Sequence, residues 1–267
     1  MPAGAAEDFV AKCREHKLDF VLFVRHASSA PLHAGAAKRA EQPHDWKIDD
    51  QMRVLTQKGK DQCAAAAWFR ELDVRAALTC VEINQCVGCA AMLAPSRRWR
   101  GGQRTRRKML ISTQALTSPA RRASETAMRM TDRTETEEQK VGSIYLRMVA
   151  GVHPAGMSEP CEALFETMGY GPLRVFFEAA GGEEAFQAYG DAVCAELAAA
   201  AVPDGPGGLA VFGHAVFLNA IAYKVAQAAG ASEAMRAALL DMDLGETEGI
   251  RIDLTGGDVA KYPLASS

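Results

Sequence analysis

Two histidines stand where apolar runs end, and a helix start bearing arginines lies between them in the chain. DFVLFV (19–24) is a continuous apolar, β-rich run of the kind that forms a strand buried on both faces, and it stops at Arg25-His26. LAVF (209–212) is a second such run and stops at Gly213-His214. In open α/β sheets ligands collect beyond the carboxyl ends of strands, so both imidazoles are placed for a crevice. SPARRASETA (118–127) reads as a helix start. Pro119 suits the first turn, where its missing N–H would be unpaired anyway, and Ser118 is placed as the N-cap. Arg122 then falls on the first turn, where backbone N–H groups and a guanidinium together can hold an anion. Each segment alone also reads as a strand leaving the core, a capped helix with surface arginines, or a structural histidine. Their occurrence together, in this order, is what points to imidazole and guanidinium chemistry on a bound oxyanion.

The elements that must position these groups alternate between strand and helix. Residues 6–17 read as a short amphipathic helix, and TQKGKDQCAAAAWFREL (56–72) as a helix capped by Thr56. VRAALTC (74–80) and SIYLRMV (143–149) are strand candidates, and a helix follows Pro119 to about 130. Residues 160–200 are mostly helical, with further helices at about 215–229 and 232–241. EGIRIDL and DVAKYPL, separated by Gly-Gly, read as a terminal hairpin. This alternation predicts an α/β fold: one domain spanning 1–267, a three-layer α/β/α sandwich with a mainly parallel central sheet and inserted loops forming a lid. Residues 27–50 are polar, with Pro31, Gly35 and Pro43, and read as a flap.

Composition narrows the function classes. Hydrophobic residues make up 48% and charged residues 24% of the 267, an ordinary globular balance. A net charge of −3 gives no global attraction to nucleic acid or anionic membrane. The first twenty residues hold no uncharged apolar stretch of signal-peptide length, and no later stretch approaches the roughly 18 apolar residues needed to span a bilayer. A cytoplasmic location is therefore expected, with no membrane partner and none of nucleic acid. Seven scattered cysteines read as reduced thiols, and Cys86 and Cys89 form a lone CxxC without a second pair at zinc-ribbon spacing. No metal and no cofactor are expected.

Four segments resemble signature elements of the histidine phosphatase (phosphoglycerate-mutase-like) superfamily. FVRHASS resembles its Arg-His-Gly signature, with Ala27 where glycine usually stands. RVLTQKG (53–59) resembles the Leu-Thr-x-x-Gly element found especially in the short phosphohistidine-phosphatase branch. SPARRASETA resembles the Ser-Pro-x-x-Arg-Ala-x-x-Thr-Ala element, and FGHAVFLNAI the second-histidine element. Six specified positions in the third element would coincide by chance on the order of 10⁻⁷ per window.

The resemblance implies His26 as nucleophile, forming a phosphohistidine. It implies Arg25 and Arg122 as clamps on the phosphoryl oxygens, with His214 donating to the same group. Arg122, not Arg121, takes the arginine role, counting from Ser118. Ser28 can offer a hydroxyl to the phosphate. The implied activity is hydrolysis of a phosphomonoester or phosphoramidate on a small phosphorylated metabolite or phosphoprotein. The alternatives are a mutase, or a binding module on the same fold.

The implied general acid has no obvious seat. The segment after SIYLRMV reads MVAGVHPAG, without a carboxylate. Glu159 is the leading candidate, with Glu162, Glu246, Glu248 and His153 behind it. A basic segment at 81–113 separates VRAALTC from QALTSPA. It carries Arg97, Arg98, Arg100, Arg104, Arg106, Arg107 and Lys108 without periodicity, and is expected to be a disordered insertion.

Overall fold

Alternation of side chains along the strands builds two cores from one sheet. The computed structural model describes residues 4–30, 52–72, 115–131, 146–149, 152, 158–200, 202 and 206–263. Its strands are β1 (Phe20–Arg25), β2 (Ala115–Thr117), β3 (Leu146–Met148), β4 (Gly208–Gly213), β5 (Gly249–Asp253) and β6 (Val259–Tyr262), ordered β3-β2-β4-β1-β5-β6. On one face Val21 and Phe23 join Leu116, Leu209, Val211, Ile250 and Ile252. On the other, Phe20, Leu22 and Val24 join Ala115, Ala210 and Phe212. Such period-2 sorting follows from the pleat.

Helices cover both faces. The first core is closed by α1 (Ala5–Glu15), α5 (Glu159–Met168), α6 (Leu173–Phe177), α7 (Gly182–Ala199), α8 (Ala215–Ala229) and α9 (Glu233–Asp241). The second is closed by α2 (Gln57–Ala65), α3 (Ala67–Glu71) and α4 (Arg121–Met130). The fold is thus α/β with helices on either side of the sheet, as the alternation predicts.

The sheet is mixed. Pairings β1–β4, β2–β4 and β2–β3 are parallel, while β1–β5 and β5–β6 are antiparallel. The terminal hairpin imposes this, because a turn as short as 254–258 can join only antiparallel neighbours. A mainly parallel sheet therefore holds for β3-β2-β4-β1 and stops at β5.

Two local expectations are corrected. The helix predicted from Thr56 to Leu72 is two, broken at Ala66, whose ψ of 56° leaves the helical region. Ala66 and Phe69 are buried in the second core, so packing overrides the high helix propensity of the alanine run. Thr56 does cap α2, its side chain accepting from Gly59 N at 3.1 Å. Ser118 is not the cap of α4, which starts at Arg121 after Ala120.

Parallel register brings three strand ends to one edge. Arg25 lies opposite Gly213 and Thr117 opposite Phe212. The next residues continue the alignment: His26 N donates to Gly213 O at 3.0 Å, and Ser118 N to Phe212 O at 2.9 Å. Residues 25–26, 117–118 and 213–214 therefore meet at the carboxyl edge. Beyond them α8 is held by aromatic packing: Phe217 stacks on Phe186 at 5.8 Å and meets Tyr189 edge-on at 5.5 Å.

The strand candidate VRAALTC, the flap from 31 to 50, His153, the Cys86/Cys89 pair and the segment 81–113 lie outside the described residues. Among those described, no helix is long and apolar enough to cross a membrane.

Candidate functional site

His26 follows β1 directly and is oriented by its own chain. Its Nδ1 lies 2.8 Å from Ala27 O. A carbonyl only accepts, so Nδ1 carries the proton. Nε2 is then the lone-pair nitrogen, and it accepts from Arg122 Nε at 3.2 Å. Burial, then the positive charge of Arg122, pushes the His26 pKa down from 6.5 to about 3; Arg25 and Arg53 add to the fall, and the Ala27 carbonyl opposes it. The imidazole is neutral at neutral pH, with its proton on one known nitrogen.

Arg122 is 5% exposed and links both histidines. Its Nη2 lies 3.2 Å from His214 Nδ1, while Nε serves His26. Counting from Ser118 selects the arginine that lies between the two histidines, while the neighbouring Arg121 pairs with Glu125 at 2.8 Å on the surface. His214 caps α8 and is 7% exposed. Its Nε2 lies 2.9 Å from the Ser118 hydroxyl. A guanidinium only donates, so Nδ1 accepts from Arg122 and Nε2 carries the proton. The two rings stand edge to face with centroids 5.1 Å apart.

Ser118 thus serves His214, and its oxygen also accepts from Ala120 N at 3.2 Å. Arg25 is anchored by a bond from Nη1 to Leu244 O, while its Nε is buried with no partner. A buried unpaired donor costs about 1–3 kcal/mol. Arg25 also borders a cavity of about 130 Å³ lined by Tyr170, Ala215, Asn219, Asp243 and others.

Ala27 in place of glycine carries no backbone strain. Among described non-glycine residues, positive φ occurs at Lys17 and Thr247. The Ala27 side chain is fully buried in the second core, and its N–H donates to Thr126 Oγ1 at 3.0 Å.

Ser28 is tied into a polar network. Its N–H donates to Gln62 Oε1 at 2.9 Å, and its side chain favours the charged form of the Glu246 carboxylate. Its carbonyl accepts from Thr56 N at 3.0 Å. A Cβ on Gly59 would lie 2.1 Å from that carbonyl, so only glycine permits α2 to approach so closely. Burial alone would raise the Glu246 pKa, but hydrogen bonds from Gln62, Lys58 and Ser28 and the Lys58 charge hold it below the usual range.

The other carboxylates have different settings. Glu159 is exposed on the first turn of α5, which Ser158 caps. Glu162, on the same first turn, is half-buried. Glu248 accepts from Gly245 N at 2.6 Å and pairs with Lys261 at 2.7 Å. Among the described residues no group of three or more His, Cys, Asp or Glu could hold a metal ion.

Sequence reasoning left Thr126, Gln62 and Arg53 without a role. Thr126 lies inside SPARRASETA, where its spacing of four from Arg122 was a usable signal, because its hydroxyl donates to Arg122 O at 2.7 Å. Arg53 heads the RVLTQKG element and reaches Ala30 O at 2.6 Å and Ser29 Oγ at 2.9 Å. For Gln62 no local signal existed.

No family model matches the chain, and no curated protein matches it. Solved structures similar to it include SixA from Agrobacterium tumefaciens, assigned as a phosphohistidine phosphatase, at 14% identity and a TM-score of 0.37. Another is a mycobacterial glucosyl-3-phosphoglycerate phosphatase, at 15% identity and a TM-score of 0.41. Each match covers 93% of this chain and 99% of the other.

Proposed function

We propose that this chain is a phosphatase of the histidine phosphatase type, hydrolysing a phosphomonoester or phosphoramidate through His26 without a metal. The observation that carries the reading is the fork made by Arg122, which spans His26 Nε2 and His214 Nδ1 at 3.2 Å each. A tetrahedral anion inserted there meets a neutral nucleophile, a guanidinium and a second imidazole together. The Arg25 Nε, buried and unpaired, offers a further donor.

The chemistry balances in two steps. His26 Nε2 attacks phosphorus, the bond to the leaving group breaks, and the leaving atom takes a proton. Water then attacks the phosphohistidine, the P–N bond breaks, and inorganic phosphate leaves with the imidazole restored. A covalent intermediate splits one hard step into two easier ones, while positioning and positive charge supply most of the stabilisation. Arg25 and Arg122 hold the phosphoryl oxygens, and His214 joins them as a donor once its Nδ1, which accepts from Arg122 in the ligand-free arrangement, takes up a proton on anion binding. Ser28 is a further candidate ligand through its hydroxyl. Glu159 is the candidate proton donor to the leaving group. A small phosphorylated metabolite or a phosphoprotein fits as substrate, and the cytoplasm fits as location.

The test is hydrolysis of p-nitrophenyl phosphate by wild type beside His26→Ala, with trapping of an acid-labile phosphoenzyme. Wild type should turn over and trap label, and the variant should do neither. Equal hydrolysis by both would dismiss His26 as nucleophile. Zero turnover by wild type would favour a binding module.

A further inference from the structure

One planar peptide unit joins the nucleophile to a polar network on two distant segments. The carbonyl of Ala27 accepts from His26 Nδ1 at 2.8 Å, and the N–H of Ser28 donates to Gln62 Oε1 at 2.9 Å. These two groups are opposite edges of the same peptide plane, which rotates as a unit. The Gln62 amide could present either oxygen or nitrogen to Ser28. Glu246 decides, because its Oε2 lies 2.9 Å from Gln62 Nε2, and a carboxylate accepts only from the amide nitrogen. Lys58 Nζ, 3.4 Å from the same oxygen, adds its charge, and the Ser28 side chain also favours the charged carboxylate.

We infer that Gln62 and Glu246 are positioning residues that fix the tautomer of His26 through the Ala27–Ser28 peptide. Glu246 orients the Gln62 amide, and Gln62 holds the Ser28 N–H. The peptide plane is thereby fixed, and the Ala27 carbonyl keeps the proton on Nδ1. Nε2 is then left as the lone-pair nitrogen facing Arg122. Neither residue touches the reacting atoms. The inference deepens the phosphatase reading and rests on it for its catalytic consequence, though not for its structural one.

A charge-conserving swap tests it. Gln62→Glu alone sets two carboxylates against each other at the position of a 2.9 Å hydrogen bond. Adding Glu246→Gln restores one donor and one acceptor with the polarity reversed, so the Ser28 N–H again meets a fixed acceptor. The ring nitrogens of His26 are followed by long-range ¹H–¹⁵N correlation in the substrate-free protein, assigned against His26→Ala. Wild type should show the Nδ1–H pattern, Gln62→Glu a mixture of tautomers, and the double variant the wild-type pattern. Turnover of p-nitrophenyl phosphate should track these patterns. The single variant should lose roughly tenfold in kcat at near-constant KM, and the double variant should regain most of it. A fully wrong tautomer costs about 10⁴ in a Ser-His-Asp triad, but here the bonds of Thr126 and Thr56 retain part of the geometry.

An unaltered Nδ1–H pattern in Gln62→Glu would overturn the inference, as would a double variant no better than the single. A wild type without turnover would sink the phosphatase reading, and the ring-nitrogen spectra would still decide the positioning role.

Discussion

Replacing Arg122 by lysine keeps the positive charge and removes the fork. The guanidinium reaches His26 Nε2 from Nε and His214 Nδ1 from Nη2, both at 3.2 Å. A lysine ammonium is a single point on a flexible stem and cannot occupy both positions. In the proposed reaction the same two donor directions face phosphoryl oxygens, where a charge-assisted hydrogen bond contributes about 1.5–3 kcal/mol. If lysine retains one of the two, Arg122→Lys loses that amount, or about 10- to 150-fold in kcat/KM at about 1.4 kcal/mol per tenfold. The His26 pKa should stay low, because burial is its first cause and the charge of residue 122 is conserved. Arg122→Met removes that charge and should raise the His26 pKa as well as the barrier. The assay is kcat/KM on p-nitrophenyl phosphate, with an NMR titration of His26 in each variant. Arg122→Lys within threefold of wild type would refute the fork as a source of transition-state stabilisation.

Two further outcomes follow from the site. His26 titrates at about 3 in the folded chain against 6.5 in the unfolded one. The unfolded chain therefore binds more protons between these values, and stability falls as pH falls through that window. From pH 6.5 to 5 this amounts to about 1–2 kcal/mol, so acidification should lower the urea midpoint of wild type more than that of His26→Asn. Equal losses would mean that His26 is not held neutral by the fold. Glu159→Gln should leave p-nitrophenyl phosphate turnover within about threefold while slowing alkyl phosphates by about 10²–10⁴, if Glu159 protonates the leaving group. A uniform effect across leaving groups would remove it from that role.

The site was legible where each residue is fixed by its own segment. A buried strand ending in Arg25-His26, another ending in Gly213-His214, and Arg122 four places after Ser118 are all local patterns. Parallel register then brings them together, and that follows from the α/β alternation itself. Pairings between segments were not legible. Ser118 reads locally as a helix cap, yet it serves His214 from 96 residues away. Gln62 and Glu246, 184 residues apart, meet because the loop before β5 bonds Arg25 at the end of β1 while the start of α2 bonds Ser28 just beyond it. The break at Ala66 was hidden too, since an alanine run favours helix and only the burial of Ala66 and Phe69 interrupts it.

The arginines that help to depress the pKa of His26 are also the charges that the proposed reaction uses to hold a phosphoryl anion. Burial and the charges of Arg122, Arg25 and Arg53 all disfavour a proton on His26. Those arginine charges would also attract a phosphoryl dianion, whereas burial, the first cause of the low pKa, disfavours any charge, so the two effects share only their charge-based part. A bound dianion cancels much of that field, which makes the Nε2 lone pair more basic at the moment when phosphorus is in reach. In the proposed reaction the affinity of His26 for a proton is thus lowest before substrate arrives, where protonation would remove the attacking lone pair, and rises with a phosphoryl dianion bound. By linkage, inorganic phosphate must then raise the His26 pKa by the same free energy with which a proton on His26 strengthens phosphate binding.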